Sequence, residues 1–191
     1  MVLFLEMYFL EKQTKETKMT MKTIMPVVAA MAVFVSGCDE IPSEDTIAGF
    51  STAIGKTAGY ACELAKMKPQ VKEEVVNVLD NVKGAIPKED ETFYDVWTPL
   101  AYAEIDKIAQ KKGWNETEVK AAKLAVIAAT KGIDYVFMKY PKAREVENLV
   151  SISVDSFVDG YKSVIAFAAN GSPDIDVEAY NYLKAELANC K

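Results

Sequence analysis

The 191-residue chain contains no histidine. The commonest general base and the commonest metal ligand are therefore missing, and neither a Ser-His-Asp nor a Cys-His constellation can form. Cys38, Cys62 and Cys190 are the three thiols left to do chemistry. A second candidate is the acidic run Asp174 to Glu178, DIDVE, whose carboxylates Asp174, Asp176 and Glu178 could offer oxygens to Ca²⁺. Its spacing lacks the EF-hand pattern, and acids in a first helical turn also favour the positive end of the helix dipole. These three residues are weak metal candidates, and no metal or other cofactor is expected. A third candidate is Gly49 to Thr57, GFSTAIGKT, with five residues between its first two glycines. A phosphate-cradling loop has four there and follows a strand, so no nucleotide is expected. Gly55 and Gly59, four apart, instead allow another helix to approach closely.

Two further clusters bear on binding. Phe93, Tyr94 and Trp97, followed by Tyr102, are candidates for a partner surface, because aromatic residues are enriched at interfaces. Such a cluster is more often core. Asn115-Glu116-Thr117 matches a glycosylation sequon, yet Asn115 with Glu118 three residues later also fits a capping box with Asn in the capping role. Acids are otherwise scattered over polar faces, so no carboxylate pair stands out for acid–base work, and the chain is expected not to be an enzyme.

The front of the chain sets its address. Ile24 to Val35, IMPVVAAMAVFV, is twelve residues without a charge, too short to span a bilayer, which needs about 20 apolar residues. Lys22 precedes it, and Ser36 and Gly37 follow. A basic flank, a short apolar core and a small-residue cleavage site make a secretory signal peptide. The run Val35-Ser36-Gly37-Cys38 resembles the lipobox of bacterial lipoproteins. That resemblance implies diacylglycerol transfer to the Cys38 thiol, cleavage between Gly37 and Cys38, and acylation of the new amino terminus. Each buried CH₂ adds about 0.8 kcal/mol of membrane affinity, so two or three chains anchor stably where one is marginal. Asp39, next to the cysteine, resembles the inner-membrane retention signal of enteric bacteria. The expected location is the bacterial cell envelope, with the body facing the periplasm or the cell exterior.

The expected organisation is residues 1–18 as a misannotated upstream extension, 19–37 as signal peptide, 38–42 as lipidated tether and 43–191 as one α-helical domain. Translation is expected to start at Met19 or Met21, because a signal peptide begins a few residues before its basic flank. In an exported chain, the two cysteines left in the mature body, Cys62 and Cys190, are expected to pair. The loop closed is about 130 residues, for which chain entropy gives on the order of 4–5 kcal/mol.

The body reads as all-α, a bundle of five to seven helices with short loops. Ser43 is an expected N-cap with Glu44 and Asp45 in the first turn. Ile47, Phe50, Ile54, Ala58, Ala61 and Ala65 then recur at helical spacing to about Met67. Pro69 opens a second helix with the stripe Val71, Val75, Val78, Leu79 and Val82. A third starts either at Thr98-Pro99 or, with Pro99 inside it, near Thr92, and ends at Gly113. The alanine-rich helix after Asn115 is expected to break at Gly132. Pro141 opens a long segment with Val146, Leu149, Val150, Phe157, Tyr161, Val164, Ile165 and Ala168 on one face. Within it VSISV, Val150 to Val154, alternates like a strand. Asn170-Gly171 ends it, and Ser172-Pro173 caps a last helix with Ala179, Tyr180, Leu183, Leu187 and Cys190 inward.

Charge narrows the partners. Residues 1–37 hold four Lys and three Glu, so from Cys38 onward 18 basic residues face 25 acidic ones, a net of −7. Nucleic acid is not an expected partner, since phosphate neutralisation needs clustered Lys and Arg. The expected role is a non-enzymatic, membrane-anchored module that binds an envelope protein. The alternatives are a carrier of a small apolar ligand or lipid between its helices, and an exclusion or immunity lipoprotein of a mobile element.

Overall fold

A computed structural model describes residues 41–88, 90–167 and 175–189, all within one unit, Glu40–Lys191. Six α-helices appear among them: α1 Glu44–Ala61, α2 Pro69–Val82, α3 Phe93–Lys112, α4 Glu116–Lys139, α5 Glu147–Phe167 and α6 Val177–Ala188. Two 3₁₀ turns, Leu64–Lys66 and Pro141–Glu145, complete the order. The described residues contain no strand. The body is the all-α bundle its periodicity predicts.

Most helix starts are set locally. Ser43 Oγ accepts the Thr46 N–H at 3.2 Å, as its N-cap role requires. Asn115 and Glu118 form the reciprocal capping box, with bonds of 3.0 and 2.9 Å. Thr92 and Asp95 form another, so α3 is a single helix with Pro99 inside it rather than one that starts at Thr98. Pro69 occupies the first position of α2, and all five residues of its stripe are buried.

Three expectations need correction, and one open alternative, strand or helix for VSISV, resolves to helix. The first helix stops at Ala61 rather than Met67, because Glu63 takes a left-handed backbone (φ 58°) and turns the chain into a 3₁₀ turn. Helix α4 runs through Gly132, which is buried, since a glycine inside a helix is tolerated when packing needs its missing side chain. VSISV is helical, as part of α5. The last helix is capped by Asp176, whose carboxylate accepts the Ala179 N–H at 2.9 Å; Ser172 and Pro173 lie outside the described residues.

Helix α1 is the hub, and its broadest contact is with α5. The two run parallel, with Glu44 near Asn148 at one end and Gly59 against Val164 at the other. Glycine brings the backbones together. A Cβ on Gly55 would collide with the Phe157 carbonyl oxygen and stand 2.9 Å from the Tyr161 nitrogen. Reciprocally, a Cβ on Gly160 would collide with the Thr52 carbonyl oxygen. The expected close approach at Gly55 and Gly59 is thus made, with Gly160 as its counterpart. Helix α4 packs against both α1 and α5 and runs antiparallel to α1, Phe50 meeting Tyr140 edge-on and Gly132 meeting Ala58 and Phe157. Helices α2 and α3 pack antiparallel to one another, Asn81 bonding Glu104 and Lys112 bonding Glu74. Helix α6 lies antiparallel to α4, with Lys139–Glu178 at one end and Lys131–Glu186 at the other. One continuous apolar core draws residues from all six helices.

Candidate functional site

The residues singled out by sequence fall in different places. Gly37, Cys38, Asp174 and Cys190 lie outside the described residues. The expected Cys62–Cys190 bridge is not what the structure shows, because Cys62 is a free thiol. Its Sγ lies 3.2 Å from the Tyr161 hydroxyl and 3.3 Å from the Gly59 carbonyl. The Tyr161 hydroxyl donates to the Ala125 carbonyl at 2.9 Å. With that proton committed, the Cys62 thiol is left to donate to the Tyr161 oxygen or to Gly59. Burial dominates the protonation of both groups. It pushes the Cys62 thiol up to about 11 and the Tyr161 phenol well above its usual value. This pair stitches α1, α4 and α5 together and is a poor nucleophile, because a thiol reacts as its thiolate.

The aromatic surface also needs correction. Trp97 is fully buried, Phe93 is 1% exposed and only Tyr94 is half-buried. Phe93 stacks on Phe137 and meets Trp97 edge-on, and the Trp97 indole N–H donates to the Ala85 carbonyl at 2.9 Å. Large aromatic area is better removed from water, and the N-terminus of α3 faces inward. Among the described carboxylates of DIDVE, Asp176 is the α6 cap and Glu178 pairs with Lys139 at 2.7 Å. No cluster of three metal-ligating side chains occurs among the described residues. Gly49 to Thr57 is helical throughout. The Thr57 hydroxyl donates to Ala53 and accepts the Asp176 N–H, so it tethers α6 to α1.

Two arrangements were not foreseen. Asp134, the lone acid in GIDYVF on α4, accepts the N–H groups of Phe93 and Tyr94 at 2.8 and 3.1 Å. It caps α3 from a neighbouring helix. Burial raises its pKa, opposed by those two N–H groups and by Lys131 and Arg144. Arg144 is the only arginine in the chain. Its guanidinium donates to the carbonyls of Lys88, at 2.9 Å, and Glu91, and holds the α2–α3 loop onto the turn before α5. A single acid in an apolar run and a single arginine were signals available in the sequence, but their partners are 41 and more than 50 positions away.

The described surface carries two open grooves. One, of about 310 Å³, lies between α3 and α4 beside Tyr102, with Lys123 over the Tyr102 ring. The other, of about 550 Å³, lies between the α2–α3 loop and the first turns of α5. No protein-family model, curated protein or solved structure matches the chain. No described helix is long and apolar enough to cross a membrane.

Proposed function

We propose that this protein is a lipid-anchored, non-enzymatic module of the bacterial envelope whose helical body binds a protein partner. The observation that carries the reading is Val35-Ser36-Gly37-Cys38 behind twelve uncharged residues. The body supports a partner over an apolar cargo. The positions between α1, α4 and α5 that a carrier would keep open are filled by Phe157, Tyr161 and Ala58, each fully buried. The buried thiol of Cys62 and the scattered, ion-paired carboxylates support a binding role over catalysis.

The test is Cys38→Ser in the full chain. The wild type should incorporate radiolabelled palmitate and sediment with membranes; the variant should lose the label and appear in the soluble fraction. Membrane association of the variant that survives a high-salt wash would count against the anchor.

A further inference from the structure

The groove between the α2–α3 loop and α5 has a floor of Val150 and Val154 and a wall at Ile86, which is 49% exposed. Its two cations are already engaged. Lys83 pairs with Asp155 at 2.8 Å and lies 3.7 Å from Asp80, and Arg144 is spent on the Lys88 and Glu91 carbonyls. Its two remaining acids are not: Glu145 and Glu147 are exposed, and neither is ion-paired with another described residue. The groove thus offers the exposed Ile86 side chain over a floor where Val150 and Val154 show 5% and 3% of their surface, edged by negative charge on a body of net charge −7. The chemistry that complements it is an apolar segment flanked by lysine or arginine.

The groove's height above the anchor also follows. Glu147 neighbours Asn148, whose side-chain amide donates to Glu44 at 2.6 Å at the start of α1. Five residues separate Glu44 from Cys38, a six-step span of at most about 20 Å even when extended. If Cys38 carries lipid, as proposed above, the groove opens close to the headgroups.

We propose that this groove is the docking site for an apolar, Lys/Arg-flanked segment of a membrane-embedded protein, gripped by Ile86, Val150 and Val154 and selected by Glu145 and Glu147. The test uses the full lipidated chain in host cells, with the photo-crosslinker p-benzoylphenylalanine placed at Ser151, an exposed groove residue. A control places it at Gln110, exposed near the far end of α3. Ser151 should give one protein adduct. Tandem mass spectrometry should map it to a segment with Lys or Arg beside apolar residues, next to a membrane span. Combining Glu145→Lys with Glu147→Lys should cut the yield about tenfold or more, since like charges then face each other. Both side chains are exposed and form no ion pair with a described residue, so circular dichroism should be unchanged; Ile86→Asp is a second variant that removes the apolar wall and should also lose the adduct. Adducts only to lipid, an acidic or uncharged segment, equal yields from Gln110, no adduct, or no loss on charge reversal would each overturn the proposal. Palmitate labelling of the same cells reads the anchor separately. A labelled chain without the adduct sinks the groove alone, whereas an unlabelled, soluble chain sinks the anchor and with it the membrane-level partner.

Discussion

Cys62 shows how a residue's chemistry is decided by what surrounds it. An exported chain favours a bridge, but here the thiol is packed under Tyr161 and kept protonated. The shift from 9.0 to about 11 means about a hundredfold less thiolate at neutral pH than an ordinary cysteine has. Iodoacetamide at neutral pH should therefore modify Cys62 slowly in the native protein and rapidly in urea, as read by peptide mapping. Equal rates in both would show that the sulfur is not held as described. Removing the phenol by Tyr161→Phe takes away the bond to Ala125 and the partner of Cys62, at a cost of about 1–2 kcal/mol in urea unfolding.

At the scale of elements, the α1–α5 crossing depends on glycine. Gly55→Ala would push a methyl into the Phe157 carbonyl, a backbone atom that cannot swing aside. Destabilisation on the order of 3 kcal/mol is expected, at the upper end of the overpacking range. Gly49 sits exposed on the same helix with nothing within 4 Å of its would-be Cβ. Gly49→Ala should stabilise by about 0.5–1 kcal/mol, because alanine favours the helix and loses less entropy. Urea midpoints that move the same way for both variants would refute this account of the crossing.

The α3 cap in trans gives a pH dependence. Asp134 has a folded pKa raised above its ordinary 3.8, chiefly by burial. The folded state therefore binds its proton more tightly than the unfolded one. The resulting stability is fully present below about 3.8 and is lost as pH rises through the raised folded value. Asp134→Asn removes that titration. The stability advantage of the wild type over the variant should shrink as the pH rises above about 3.8. Exposed Asp95 and half-buried Glu118, held low by Thr92 and by Lys68 respectively, contribute in the opposite sense. Their stabilisation is present above the ordinary carboxylate range and lost in acid.

For the molecule as a whole, the core is one cluster shared by all six helices. Six helices around one core should unfold together. The body from Cys38 onward should give a single transition, with tryptophan fluorescence, dominated by the change at buried Trp97, coinciding with far-ultraviolet circular dichroism. Two separated transitions would mean that some helices fold apart from that core. The surface ion pairs contribute little to this, since exposed pairs are worth about 0–1 kcal/mol.

Local rules made much of this fold legible. The spacing of Val71, Val75, Val78, Leu79 and Val82 alone identified a helix face that is buried in full, and Asn115 with Glu118 identified a helix start, because periodicity and capping act within a few residues. The pair Gly55 and Gly59 announced a close helix neighbour without naming it. Four things waited for the tertiary structure: that this neighbour is α5, that Phe93 and Trp97 face inward, that Cys62 meets Tyr161 99 positions away, and that Ile86, Glu145 and Glu147 share one groove. Each depends on which helix lies beside which. That choice is made by the fit of all six apolar faces in one core, a property no single segment carries.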